Sequence, residues 1–260
     1  PATHRRTSVA AIDRETRHAW RRATILSVAG LLLSTGIGAV YALWLEASGD
    51  WRVGLPWERA LMLSIDRAVP ATFDWLMLGL PWLGTNLTLL PIIALVSLWL
   101  WRKEGRGDLA LHLVVVSLGS LIMNAVLKDA FGRPRPDLWE HRGQYAWSSY
   151  PSGHAIVCTS VFFAIAFMFF RERHWRWPFA VAAILMIVIL YSRLYLGVHW
   201  PTDVAGGCLI GLAWLAATEY AFAPLGRRSS KPLTPHRTRQ PFAALQDRGR
   251  RSASRPGTRR

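Results

Sequence analysis

The sequence contains little cysteine and few acidic residues. Cys158 and Cys208 are the two cysteines among 260 residues, and both lie in apolar stretches without metal-ligand spacing, which excludes a disulfide framework and a thiolate metal site. The 16 acidic residues face 31 Lys and Arg and form no cluster suited to a divalent cation. We therefore expect the two cysteines to be small packing residues.

Charge is missing from six long stretches of the chain. Because a transmembrane helix needs about 20 mostly apolar residues, these stretches predict an all-α polytopic membrane protein with six transmembrane helices, the first of which would direct insertion. Pro81, Gly84 and Pro91 are expected to break the second stretch into a short outer piece and a spanning helix. The stretches are Ala23–Leu45, Trp75–Trp101, Leu109–Leu127, His154–Phe170, Trp177–Ser192 and Val204–Thr218.

Basic residues are concentrated at the N-terminus, in the loops after the second and fourth spans, and in the tail. Short cytoplasmic loops collect Lys and Arg, so both termini are predicted to be cytoplasmic and the other loops extracytoplasmic. Residues 227–260 carry 11 Lys and Arg against Asp247 alone. We predict a basic arm (1–22), a membrane domain (23–222) and a disordered tail (223–260) that attracts anionic membrane lipids rather than nucleic acid.

Three short polar segments stand at the predicted extracytoplasmic boundary. Lys128-Asp-Ala-Phe-Gly-Arg-Pro-Arg135-Pro136 closes the third span, and Pro-Ser-Gly-His at 151–154 opens the fourth. The third segment runs from Ser192-Arg193 through His199 to Asp203. Since polar groups in a membrane are costly unless paired or facing a wet cavity, the segments predict a site there.

This set of side chains suits a phosphoryl group. Lys128, Arg135 and Arg193 could neutralise its nonbridging oxygens. The backbone N–H groups of Ser152 and Gly153, at the start of a helix, are expected to point at the same oxygens.

The two histidines and the carboxylate suggest how such a phosphate would react. His199 is the expected nucleophile, and Asp203, one helical turn further on if the sixth span begins at Pro201, is expected to accept the other ring N–H. His154 would be the general acid and later the base. This scheme requires neither a metal nor another cofactor.

Together these motifs resemble the type 2 phosphatidic acid phosphatase superfamily, over about Trp75–Ala221. The resemblance implies a six-helix enzyme that acts without metal on phosphatidate, phosphatidylglycerol phosphate or polyprenyl diphosphates such as undecaprenyl diphosphate. By resemblance, Lys128, Arg135, Ser152, Gly153 and Arg193 bind phosphate, and His199, His154 and Asp203 are catalytic. Six residues separate Lys128 from Arg135, which leaves Arg133 as an accessory contact.

Several alternatives stay open at this stage. The same pocket could transfer phosphate to another lipid, or the fold could serve lipid binding or transport without catalysis. The sequence does not choose among the lipid phosphates, and it does not indicate an oligomeric state. His112 and Asn124, in the third span, are expected to pack against neighbouring helices rather than line the substrate path.

The scheme predicts turnover without a metal ion. Activity should persist in excess chelator, because the three cations supply the charge neutralisation that magnesium supplies elsewhere. Vanadate should inhibit, since it can mimic the trigonal-bipyramidal phosphorus bound to His199. Phosphate release is measured with and without each reagent, and loss of turnover on removal of magnesium would contradict the scheme.

Overall fold

A computed structural model describes residues 2–139 and 148–226. This part of the chain is helical and contains no β-strand, which confirms the predicted all-α class. Most of the predicted tail lies outside the described residues. The α-helices are α1 (Ala2–Glu46), α2 (Pro56–Ala68), α3 (Asp74–Gly79), α4 (Asn86–Arg102), α5 (Gly107–Phe131), α6 (Gly153–Val157), α7 (Phe163–Arg173), α8 (Trp177–Tyr195) and α9 (Pro201–Gly226).

Within the described ranges, five helices are long and apolar enough to cross a membrane, and there are six such segments when a bent pair is counted as one span. In that pair, the segment from Ala71 to Gly84 meets α4 at an angle of 42°, so the predicted break near Pro81 and Gly84 is confirmed. Pro91 does not break the chain, since it lies inside α4. It stands in the second turn of that helix, where it removes one backbone hydrogen bond without ending the helix.

Two glycines bring the Pro-Ser-Gly-His segment against α9. A Cβ atom added at Gly207 would lie 2.6 Å from the Ser152 carbonyl oxygen, and one at Gly211 would lie 2.8 Å from that of Ile156. Both distances are shorter than van der Waals contact, so this approach of α6 to α9 requires small residues. The spacing of four residues places both glycines on one face of α9.

Ion pairs tie the helices together at the end of the bundle opposite the motifs. Arg106, which is 1% exposed, pairs with Asp108 at 3.0 Å and with Glu172 at 2.7 Å. Arg171 pairs with Glu219 at 3.0 Å. These contacts hold the start of α5 against the ends of α7 and α9, so the two ends of the bundle have separate polar networks.

We predict that these two ends face opposite sides of the membrane. Ser64 on α2 and Lys103 after α4 are both exposed, and they stand at the motif end and the opposite end. In a Cys208→Ser background, Ser64→Cys should react with a membrane-impermeant thiol reagent applied to intact cells, whereas Lys103→Cys should react only after lysis. Labelling of both from outside would contradict the topology.

Candidate active site

The three motif segments meet around one cavity of about 730 Å³ at the end of the bundle. Six of the eight predicted site residues line it, and Ser152 and Asp203 lie buried behind its wall. The six are Lys128, Arg135, Gly153, His154, Arg193 and His199. Spacing along the chain therefore identified side chains that the fold brings together from three helices and two loops.

Two of the three cations of the cavity donate hydrogen bonds to backbone carbonyl oxygens. Lys128, near the end of α5, donates to the carbonyl oxygens of Ser148 and Ser149, and Arg135 donates from Nη1 to the Val198 carbonyl oxygen at 2.5 Å. Arg193, near the end of α8, is 5% exposed. No carboxylate is among the described residues that line this cavity, so its electrostatics favour an anion.

His199 lies in the loop between α8 and α9, and α9 begins at Pro201, as predicted. The imidazole Nδ1 is 3.8 Å from Asp203 Oδ2, which is longer than a hydrogen bond. The carboxylate accepts instead from the Trp200 amide at 2.8 Å and from the Ser149 hydroxyl. The spacing correctly places the pair side by side, but the direct hydrogen bond that it predicts is absent because other donors occupy the carboxylate.

The imidazole of His199 is held in its neutral form. Burial lowers the pKa of His199 well below its ordinary value, and the positive charges of Lys128, Arg135 and Arg193 lower it further. A hydrogen bond to the Ser149 backbone acts in the opposite direction. A neutral ring keeps the lone pair that nucleophilic attack requires.

His154 is the second residue of α6 and lines the same cavity as His199. Its Nε2 is 3.2 Å from the Pro81 carbonyl oxygen. Because a carbonyl oxygen only accepts hydrogen bonds, this contact assigns a proton to Nε2. The contact also fixes the ring against the short outer piece of the second span.

The Ser152 amide differs from the prediction. Its N–H donates to the Asp203 carbonyl oxygen at 3.1 Å, so it links α6 to α9 and does not point at the cavity. Gly153 does line the cavity, and an added Cβ there would lie 3.0 Å from Asn124 Oδ1. A side chain at this position would therefore press on the Asn124 carboxamide, which would have to shift by a few tenths of an ångström.

The expectations for Asn124 and Arg133 are corrected, whereas His112 packs against a neighbouring helix as expected. Asn124 lines the cavity as well as packing against α6, whereas His112 stacks on Phe222 at the opposite end, with the ring centroids 4.8 Å apart. Arg133 is fully buried and is not part of the cavity wall. Its guanidinium binds Asp203 at 2.6 Å and Glu58 at 3.0 Å, so it is not an accessory phosphate contact.

Sequence reasoning missed Glu58. This carboxylate begins α2, outside the motifs, and is 0% exposed. At the start of a helix it has the position of an ordinary capping residue. Its burial and its contact with Arg133 depend on the fold, so no local pattern indicated them.

Comparison with known proteins decides the family. The PAP2 superfamily matches residues 109–226. Phosphatidylglycerophosphatase B of Bacillus subtilis (strain 168) is 33% identical over 143 residues, which are 52% of this chain and 68% of the relative. The chain belongs to the PAP2 superfamily. This confirms the resemblance and the prediction of a phosphatase.

A second relative and a solved structure extend the comparison. Undecaprenyl-diphosphatase of Sulfolobus acidocaldarius is 27% identical over 172 residues, 65% of this chain and 78% of the relative. The crystal structure of a transmembrane PAP2 type phosphatidylglycerolphosphate phosphatase from Bacillus subtilis has a TM-score of 0.64 at 24% identity, and covers 78% of this chain and 98% of that one. This second likeness establishes the fold.

The low pKa of His199 predicts how this PAP2 protein responds to acid. The ring should stay neutral as the pH falls through 6.5, where an exposed histidine becomes charged. Because the unfolded chain takes up that proton, His199 also lowers the stability of the fold as the pH falls below about 6.5. ¹⁵N spectra of the histidine rings, assigned through His199→Gln, provide the test; an imidazolium signal with a midpoint at or above this pH would contradict the prediction.

Proposed function

We propose that this protein hydrolyses a phosphate from an amphiphilic lipid phosphate or diphosphate through a phosphohistidine at His199. The observation that carries the proposal is the composition of the cavity. Three cations and both histidines lie in it together with apolar side chains, among them Leu78, Leu121, Val157 and Leu196. An anionic headgroup attached to a hydrocarbon chain matches both parts of this lining.

Undecaprenyl diphosphate, phosphatidylglycerol phosphate and phosphatidate are the substrates that we propose to test. The names of two relatives support the first two, since they are an undecaprenyl-diphosphatase and a phosphatidylglycerophosphatase. All three lipids carry a terminal phosphate on a headgroup that is attached to long hydrocarbon chains. The chemistry of the cavity therefore supports lipid phosphates as the substrate class. Measured turnover of each lipid would identify the substrate within that class.

The first step forms the phosphoenzyme. Nδ1 of His199 faces Asp203 at 3.8 Å, so Nε2 is the nitrogen that attacks phosphorus. The N–P bond forms as the bond from phosphorus to the lipid oxygen breaks, and the imidazolium form of His154 gives that oxygen its Nδ1 proton, while the Nε2 proton stays hydrogen-bonded to the Pro81 carbonyl oxygen. Lys128, Arg135 and Arg193 neutralise the charge on the remaining phosphoryl oxygens.

The second step returns the enzyme to its starting state. Water attacks phosphorus, His154 accepts a proton from that water, and the N–P bond breaks, which releases phosphate. Asp203 compensates the positive charge of the substituted imidazole ring between the two steps. If a lipid hydroxyl replaces water, the same chemistry becomes phosphotransfer, and release of free phosphate distinguishes the two reactions.

The site is proposed to face the extracytoplasmic side, with both termini in the cytoplasm. Basic residues after α4 and α7, at the end of the bundle opposite the cavity, support this orientation. Substrate would then come from the outer leaflet.

We predict that the two histidines fail differently. His199→Ala removes the attacking atom, so release of phosphate from all three lipids should fall to background. His154→Ala leaves attack intact but removes the proton donor, a loss of about 10²–10⁴ in rate. An activated aryl phosphate, whose leaving group needs no proton, should restore phosphoenzyme formation in His154→Ala but not in His199→Ala.

The label itself identifies the intermediate. His154→Ala should accumulate an acid-labile, base-stable phosphohistidine, because the hydrolysis step lacks its base. Asp66→Asn, a change on the outer helix α2 away from the cavity lining, is the matched control and should retain turnover. Retention of the label in His199→Ala with its loss in His154→Ala would reverse the two roles.

A further inference from the structure

Glu58, at the start of α2, has every polar contact that a buried carboxylate needs. Oε1 accepts from the Thr202 amide at 3.0 Å and from the Thr202 hydroxyl at 2.7 Å. Oε2 accepts from the Leu55 amide at 2.9 Å and from Arg133 at 3.0 Å. The side chain is 0% exposed, so an ionised group is held here by hydrogen bonds rather than by water.

Arg133 connects this carboxylate to the candidate active site. Nη2 donates to Glu58, and Nη1 donates to Asp203 Oδ1 at 2.6 Å. Nε donates to the Trp51 carbonyl oxygen at 2.8 Å. The guanidinium lies over the rings of Trp51 and Trp200, 4.8 and 5.3 Å from their centroids, so aromatic contacts as well as hydrogen bonds hold its position.

The position of Asp203 follows from these contacts. Arg133 holds Oδ1, which turns Oδ2 toward the Ser149 hydroxyl, the Trp200 amide and the His199 ring. A carboxylate whose two oxygens both accept hydrogen bonds cannot rotate without breaking them. Displacement of Arg133 would therefore change the distance between Asp203 and His199.

Glu58 also affects Asp203 through its negative charge. Arg133 is shared between two carboxylates, so its positive charge does not cancel that of Asp203 alone. With Glu58 neutral, Arg133 would pair with Asp203 only and weaken the attraction between Asp203 and a positively charged His199. That charge develops when the imidazole nitrogen bonds to phosphorus.

We infer that Glu58 is a positioning residue for the phosphatase reaction, which acts through Arg133 on Asp203 and so on the His199 nucleophile. The inference rests on the proposed function. It assigns a role in turnover to α2, an element outside the three motifs. Glu58 does not line the cavity, so its effect falls on kcat rather than on substrate binding.

A double-mutant cycle on kcat tests this inference. Glu58→Gln should lower kcat by roughly 10- to 100-fold, the range expected when a catalytic group is displaced by up to 1 Å, with KM nearly unchanged. In an Asp203→Asn background the same change should have little further effect, because the path from Glu58 to His199 runs through Asp203. Glu58→Asp, which retains the charge, should lose less kcat than Glu58→Gln.

The matched control is Glu46→Gln. Glu46 pairs with Arg52 at 2.8 Å near the same end of the bundle, but its side chain is 38% exposed, so this change should leave kcat unaltered. Rates are taken per mole of monodisperse enzyme, so that loss of folded protein is counted separately. Equal kcat losses from Glu58→Gln in the wild-type and Asp203→Asn backgrounds, or equal losses from Asp and Gln at position 58, would overturn the inference.

The cycle separates this inference from the proposed function. If wild-type enzyme releases phosphate and His199→Ala does not, while Glu58→Gln keeps full kcat, the inference alone fails. If wild-type enzyme releases phosphate from none of the lipids, or His199→Ala keeps full turnover, the proposed function fails and the inference fails with it.

Discussion

The buried guanidinium of Arg133 is the contact on which the arrangement of the site depends. It joins the loop after α5 to the backbone of Trp51, to Glu58 on α2 and to Thr202 and Asp203 on α9. These segments are separated by 69 to 82 residues from Arg133 along the chain. Removing one partner of such a buried pair costs about 3–5 kcal/mol, because the other charge is left without compensation. The site therefore forms only when the loop after α5, the segment around Trp51 and α2 are correctly placed against α9.

The same network separates the charges at the motif end of the bundle. Asp203 has a cationic partner that points away from the cavity, so Lys128, Arg135 and Arg193 are not needed to neutralise it. The cavity lining then carries positive charge with no carboxylate among its described residues. A neutral His199 beside these cations follows from the same physics, because burial and nearby positive charge both disfavour a protonated ring.

The sequence predicted the parts of this structure that depend on local composition. Charge-free runs located the spans, Pro81 and Gly84 indicated the bend, and three fixed spacings identified six residues that line one cavity. It did not predict that Glu58 is buried and binds Thr202, which lies 144 residues away. Nor did it predict that the Ser152 amide binds Asp203, because a serine that precedes a helix has the same local pattern whether its N–H meets a ligand or another backbone carbonyl.

Glu58, Arg133 and Asp203 form an ionic network where apolar side chains could have packed. Stability alone does not explain this network. Replacing a buried ion pair by well-packed apolar residues is often neutral or stabilising, so Glu58 and Arg133 are not required for a stable bundle end as such. Asp203, however, must remain ionised beside His199 if it is to compensate positive charge on the ring. A lone Arg133 would solvate Asp203 but cancel its charge, whereas Arg133 shared with Glu58 keeps the group of three negative by one charge. In the proposed mechanism, the demand for a charged Asp203 accounts for a second buried carboxylate, and α2 supplies it from outside the candidate membrane spans, where a charged side chain need not lie in the hydrocarbon.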